Sequence, residues 1–205
     1  LLSSILIDIG LVALFGIQHT IMADPIFKRW ITRFIPQCYE RPLFVAVSTI
    51  ALAFLMWQWR SIDMVVWNVE NIWLAGIIWG LFLMGWGILF LATFLIDHWH
   101  LFGLKQALGR DHGGLTRFVT PSLYKLVRHP MMTGIFISIW AIPTMTAGHL
   151  IFALSMTVYL LVGIRFEEKK LVQELGSEYE QYQKNVPQLL PSIKTKPNIS
   201  TVSAE

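Results

Sequence analysis

The chain has 205 residues, 55% of them apolar and 14% Asp, Glu, Lys or Arg, with a formal net charge of +3 and a mean hydropathy of +0.56. Soluble domains carry about 25% charged residues, and nine Trp with thirteen Phe exceed what a soluble core of this length hides, so an integral membrane protein is expected. A lone Cys38 excludes an internal disulfide, and a disordered or nucleic-acid-binding chain is excluded with it.

Taken in chain order, apolar segments at 1–22, 43–59 and 72–96 read as three membrane helices. The first is a full-length span and is expected to stay in place rather than be removed as a signal peptide. A fourth apolar stretch, 131–164, is too long for one crossing. Pro143-Thr144-Met145-Thr146-Ala147-Gly148 is turn chemistry, so it splits into spans at 131–146 and 149–165. The expected fold is therefore an all-α integral membrane protein with five transmembrane helices, forming one domain over 1–191. A loop at 97–129 and a cap at 167–191 complete it. The cap reads as two short amphipathic helices, the second opened by Ser177-Glu178-Tyr179-Glu180, which fits a capping box. Residues 192–205 read as a disordered tail.

The cations give this layout a direction. Lys28, Arg29, Arg33 and Arg41 follow span one, and Lys105, Arg110, Arg117, Lys125 and Arg128 follow span three. Arg165, Lys169, Lys170, Lys184, Lys194 and Lys196 follow span five, and Arg60 alone falls on the other side. Cytoplasmic loops carry the excess of Lys and Arg. The N-terminus is thus expected outside and the tail inside, with the basic residues touching lipid head groups.

Four of the six histidines, His98, His100, His112 and His129, lie on this inner side, where a cytosolic cofactor would be met. Three clusters stand out. Asp97-His98-Trp99-His100 offers a carboxylate that orients an imidazole, a usable base near neutral pH. No further ligands follow at zinc-site spacing, so no metal is expected. Arg128-His129-Pro130 reads as a helix start, where orphan N–H groups favour an anion. Arg165-Phe166-Glu167-Glu168-Lys169-Lys170 reads as a charged helix end, with one carboxylate facing the bundle. Each cluster also has a plain structural reading, as interfacial residues at a membrane edge.

Tyr124-Lys125-Leu126-Val127-Arg128-His129-Pro130, followed by Glu167-Glu168, Leu171, Gly176, Tyr179, Tyr182 and Pro187, resembles the signature of the isoprenylcysteine carboxyl methyltransferase superfamily. Gln18-His19-Thr20-Ile21-Met22-Ala23, Glu40-Arg41-Pro42, the block Asp97 to Gln106 and Pro143 to His149 narrow the resemblance to bacterial methanethiol S-methyltransferases, with NnrU-type proteins and nurim as further kin.

The resemblance implies S-adenosyl-L-methionine as cofactor in a cytosolic pocket at the ends of the last helices. Thr116, Arg117, Phe118, Val119, Tyr124, His129, Pro130, Met131, Met132 and Glu167 are its expected contacts. Met131-Met132 replace the polar-aromatic pair often found there. A small thiol, methanethiol becoming dimethyl sulfide, is the implied substrate. Asp97 and His98 are expected to remove its proton, with Lys105 or Arg165 steadying the thiolate and His100 and Gln106 binding substrate. The bacterial inner membrane is the expected place, with the lipid bilayer as partner and no obligatory protein partner. Alternatives are a methyltransferase for a larger lipid thiol or carboxyl group, and a nurim-like scaffold without catalysis.

Overall fold

A computed structural model describes residues 1–110 and 120–191. Helix α1 (Leu2–Ala23) is followed by the short α2 (Pro25–Ile31), whose start is fixed by Asp24: its carboxylate accepts the Ile26 N–H at 2.7 Å and Pro25 fills the first turn. Helix α3 (Glu40–Gln58) leads to strand β1 (Val65–Asn68). Asn71 then caps α4 (Ile72–Ile96) by accepting from Trp73 and Leu74 N–H. Two single-turn helices follow, α5 (His98–Leu101) and α6 (Leu104–Ala107). Helix α7 (Pro130–Trp140), strand β2 (Thr144–Thr146), α8 (Ala147–Leu175) and α9 (Ser177–Asn185) complete the chain.

Four helices, α1, α3, α4 and α8, are long and apolar enough to cross a membrane. Large apolar side chains such as Trp73, Trp79, Leu83, Trp86 and Phe90 stay exposed along α4, as a lipid-facing surface requires. Two packing units meet. Helices α1, α3 and α8 enclose Val12, Leu55 and Met156, with Phe15, Trp59 and Tyr159 against them. Helices α4 and α7 cross where neither bears a side chain: a Cβ at Gly134 would stand 2.5 Å from the Gly85 carbonyl oxygen and 2.7 Å from Leu89 N. Ser138 Oγ donates to Phe82 O across the same contact at 3.3 Å.

The stretch 131–146, expected as one span, is not helical throughout. Helix α7 ends at Trp140 after 11 residues, about 16 Å at 1.5 Å per residue, roughly half of a 30 Å hydrocarbon core. Pro143 has no N–H to continue a helix, and Thr144–Thr146 instead pair antiparallel with β1, Val65 opposite Thr146 and Asn68 opposite Thr144. The described residues are mostly helical, as expected of an all-α membrane protein, and this short two-stranded ribbon is the one strand pairing among them. The last span and the first cap helix are likewise one continuous α8, because no Gly or Pro interrupts Arg165–Leu175; Gly176, at φ +59°, ends it.

The ribbon joins the α3–α4 connection to the α7–α8 turn. Asp8 near the start of α1 joins them by accepting the Arg60 N–H at 2.9 Å. The opposite end of the bundle therefore collects the ends of α1 and α4, the starts of α3 and α7, and the lower half of α8. There Arg41 Nε donates to Leu101 O at 2.9 Å, and Gly103, at φ +77°, lies so close to Pro42 that a Cβ would come within 2.6 Å.

Candidate functional site

At this end His129 precedes Pro130 as the N-cap of α7, and its ring is buried. Nε2 lies 3.0 Å from Glu168 Oε1 and Nδ1 3.6 Å from Glu167 Oε2. Adjacent carboxylates on a helix point about 100° apart, which led us to expect one of them to face the bundle. Both reach the imidazole because the ring stands between them and offers each a nitrogen. Glu168 is the less exposed member and also accepts from Arg128 Nε at 2.7 Å and Gln183 Nε2 at 3.1 Å. Glu167 keeps about half of its side chain exposed.

The residues after α9 clamp this arrangement. Arg128 N–H donates to Pro187 O at 2.8 Å and His129 N–H to Gln188 O at 3.2 Å. The Arg128 guanidinium donates to the carbonyls of Gln183 and Val186, and Thr133 Oγ1 to Leu189 O at 2.8 Å. Tyr182 OH donates to the Tyr124 carbonyl at 2.5 Å. Burial, and then the Glu167 carboxylate, push the Tyr124 phenol up to about 12. Burial, and then Glu168, push Tyr179 up to about 12 as well. These rings stay neutral, so they present π-faces beside a carboxylate. Within α7 the N–H groups of Met131 and Met132 have no intrahelical acceptor, as at any helix start.

A second group sits at the end of α4. Asp97 caps α5 by accepting the His100 N–H at 3.0 Å, and its other oxygen meets Lys105 Nζ. The expected Asp97–His98 orientation is corrected: a residue at the N-cap aims its carboxylate at the N–H three positions on, away from the ring that follows it. His98 Nδ1 instead lies 2.8 Å from Thr93 Oγ1. Its ring stacks on Phe94 at 4.2 Å, nearly parallel, with Phe102 at 4.7 Å. The Lys105 ammonium, and then the His100 N–H, hold the Asp97 carboxyl below its ordinary range.

His100 and Gln106 contact each other at 3.0 Å and line a cleft of about 430 Å³ with Gln37, Cys38, Glu40 and Arg41. Gln106 Oε1 is buried there without a hydrogen-bond partner among the described residues. Arg165 opens instead onto a cleft with Glu168, Lys169 and Gln183, away from that of His100 and Gln106; two residues before Glu167 and three before Glu168, it lies on the Glu168 side of α8.

The structure thus brings Tyr124, His129, Pro130, Met131, Met132 and Glu167 together at one helix start, and Asp97, His98, His100, Lys105 and Gln106 at one helix end. Thr116, Arg117, Phe118 and Val119, like His112 and the expected tail 192–205, lie outside the described residues. Sequence reasoning missed Arg128, Glu168 and Thr93 as site residues. Arg128 and Glu168 lay inside motifs already singled out, but their pairing spans 40 positions. Among the described residues no group of three His, Cys, Asp or Glu is placed to hold a metal.

Residues 7–197 match the NnrU protein family. The chain is 45% identical to the methanethiol S-methyltransferase of Pseudomonas deceptionensis, over 95% of this chain and 75% of that one. It is 41% identical to the Mycobacterium tuberculosis protein of the same name, over 92% and 78%. Nurim of Bos taurus is 29% identical over 75% of this chain and 62% of its own. No solved structure matches.

Proposed function

The chain belongs to the NnrU protein family, and from that membership and the site geometry we propose that it is an S-adenosyl-L-methionine-dependent methyltransferase acting on a small thiol, methanethiol, to give dimethyl sulfide. What carries this is the buried His129 ring between Glu167 and Glu168 at the start of α7, one helix end away from the Asp97–Gln106 block. The names of the relatives at 41–48% identity point to the same substrate.

The residues present fit the proposed cofactor. Glu167 is a half-exposed carboxylate suited to an ammonium, the Met131 and Met132 N–H groups suit a carboxylate, and the neutral Tyr124 ring suits a sulfonium. When bound, S-adenosyl-L-methionine supplies a methyl carbon activated by its sulfonium. His129, held by Glu168, fixes the helix start that receives it. The clamp from Val186 to Leu189 keeps that start in place and water out.

The nucleophile is a thiolate, so the protein must take the thiol proton. We assign this to His98. Asp97 and Lys105, paired with each other, hold α5 and α6 in register, and Lys105 is the cation nearer to the developing thiolate. Arg165, in the cleft it shares with Glu168, is assigned to lipid head groups. The cleft of His100 and Gln106, on the face of α5 away from His98, is assigned as the substrate's approach rather than as the place of proton transfer. A base in place typically contributes about 10²–10⁴-fold, and alignment of the reacting groups at least as much.

The chain forms one membrane domain over 1–191 and passes the bilayer five times, α7 and β2 together making the fourth pass. Its N-terminus is outside and the site inside, in a bacterial inner membrane. The test is calorimetry of the detergent-purified protein with S-adenosyl-L-methionine, followed by headspace detection of dimethyl sulfide from methanethiol. Binding and product are expected. Absence of binding overturns the proposal in favour of a scaffold; binding without this product turns it to a larger thiol or carboxyl substrate.

A further inference from the structure

Thr93 lies in the last turn of α4, buried, and makes two contacts through one oxygen: 2.7 Å to the carbonyl of Phe90 and 2.8 Å to Nδ1 of His98. A hydroxyl carries one proton, and a carbonyl only accepts. The proton therefore goes to Phe90 O, and Oγ1 is left as an acceptor toward the ring. His98 Nδ1 must then be the donor. In the neutral imidazole one nitrogen carries the proton and the other is bare, so Nε2 holds the lone pair. Among the described residues nothing hydrogen-bonds to Nε2.

The surroundings hold that arrangement. Phe94 stacks on one side of the imidazole with 4° between planes, Phe102 packs at 4.7 Å and Trp99 meets it edge-on at 5.3 Å. A ring turned over by 180° would keep these stacking contacts but lose the contact of Nδ1 with Thr93, so it is Thr93 that selects the orientation. The nearest carboxylate, Asp97, is taken by Lys105 and the His100 N–H. The level is also right: Gly85 and Leu89 pack on Gly134, so in an antiparallel pair the next turn, with Thr93, stands at the level of Pro130 and the start of α7.

We propose that Thr93 is a positioning residue that fixes His98 in its Nδ1–H tautomer and so leaves Nε2 as the base for the thiol proton. The role in catalysis rests on the thiol-methylation function proposed above; the tautomer itself does not. In the step, the S–H bond breaks, the sulfur keeps the electron pair, and an Nε2–H bond forms. The imidazolium keeps its Nδ1–H on Thr93 and gives the new proton to water once the neutral thioether has left. A substituent that blocks the hydroxyl removes the preference for this tautomer.

The experiment is two-bond ¹⁵N–¹H correlation NMR of the full chain, labelled at histidine and held in micelles, with the His98 signals assigned by their absence in His98→Gln. Wild type is expected to show a protonated Nδ1 and a bare Nε2 at His98. Thr93→Val is expected to lose that preference and to lower the turnover of methanethiol about tenfold or more, in line with the weight of a well-set base, with KM within twofold. Thr93→Ser keeps the hydroxyl and is expected to restore both the tautomer and the turnover. A protonated Nε2 in the wild type overturns the tautomer assignment without any variant being needed. Unchanged turnover in Thr93→Val overturns the catalytic role. If neither wild type nor variants make product while His98 shows the expected tautomer, the thiol-methylation function fails and the Thr93 assignment stands.

Discussion

Nδ1 of His129 lies 3.6 Å from Glu167 Oε2 while its other ring nitrogen lies 3.0 Å from Glu168 Oε1. Adjacent glutamates thus share one imidazole but not one environment. Glu167 keeps about half of its side chain open, so it is the carboxylate able to exchange its ring contact for a cationic ligand. Charge-assisted hydrogen bonds are worth about 1.5–3 kcal/mol, so Glu167→Ala should weaken S-adenosyl-L-methionine binding by roughly 10–100-fold. Thermal stability should change little. Calorimetry together with a melting curve reads both, and unchanged affinity removes Glu167 from the donor pocket.

Glu168 should behave in the opposite way. It is half-buried against Arg128 and His129, and Arg128 in turn holds the carbonyls of Gln183 and Val186. Removing one partner strands the other, which costs about 3–5 kcal/mol in a fully buried pair and less in this partly buried one. Glu168→Ala and Arg128→Ala should each lower the melting temperature by several degrees and expose 186–189 to protease. The double variant should cost much less than the sum, since the stranded charge is gone. Additive losses would mean that the two residues do not act as a pair.

How much of this was legible in the sequence follows from how local each feature is. The runs that became α1, α3 and α4 declare themselves, because a bilayer sets their length and removes charges from them. The end of α7 at Trp140 does not, because the turn residues begin only at Pro143 and the fate of Ala141–Thr146 depends on β1, with Thr144 Oγ1 bonded to Asn68 76 positions away. The His129–Glu167 pairing was legible as a motif, whereas the Asp97–His98 dyad was misread. Adjacency in sequence suggests contact, but the chain turns at Asp97, which sends the carboxylate to the His100 N–H and swings the His98 ring back onto Thr93. A contact five positions back across a helix end follows no helical period, so no pattern announces it.

The α4–α7 crossing makes a prediction about fold alone. At Gly134 a Cβ would meet backbone, the Gly85 oxygen at 2.5 Å and Leu89 N at 2.7 Å, and backbone cannot step aside as a side-chain tip does. Gly134→Ala should therefore push the helices apart, and overpacking of this kind costs about 1–3 kcal/mol. Gly87, on the partner helix α4 with nothing within 4 Å of its virtual Cβ, is the control: Gly87→Ala should be neutral or slightly stabilising. Melting curves in one detergent compare them. Equal behaviour of the two variants would show that backbone does not close on backbone at this crossing.

Acid should reach the other site through Asp97. Its carboxyl is held below the ordinary range, first by the Lys105 ammonium and then by the His100 N–H. A carboxyl depressed in the folded state lends stability that is present above its unfolded value, about 3.9, and is lost as pH falls through the lower folded value. Near pH 4 the wild-type α5–α6 segment should therefore still be ordered, since Asp97 remains ionised there. Lys105→Gln removes the principal cause of the depression, so its transition should move to higher pH, toward that of an ordinary aspartate. Hydrogen exchange of the Asp97–Ala107 peptide, corrected for the intrinsic pH dependence of exchange, measures this directly. Superimposable pH curves for wild type and Lys105→Gln would show that the ion pair does not hold the segment. In Asp97→Asn the acid transition of this segment should be absent, because the titrating group itself is gone.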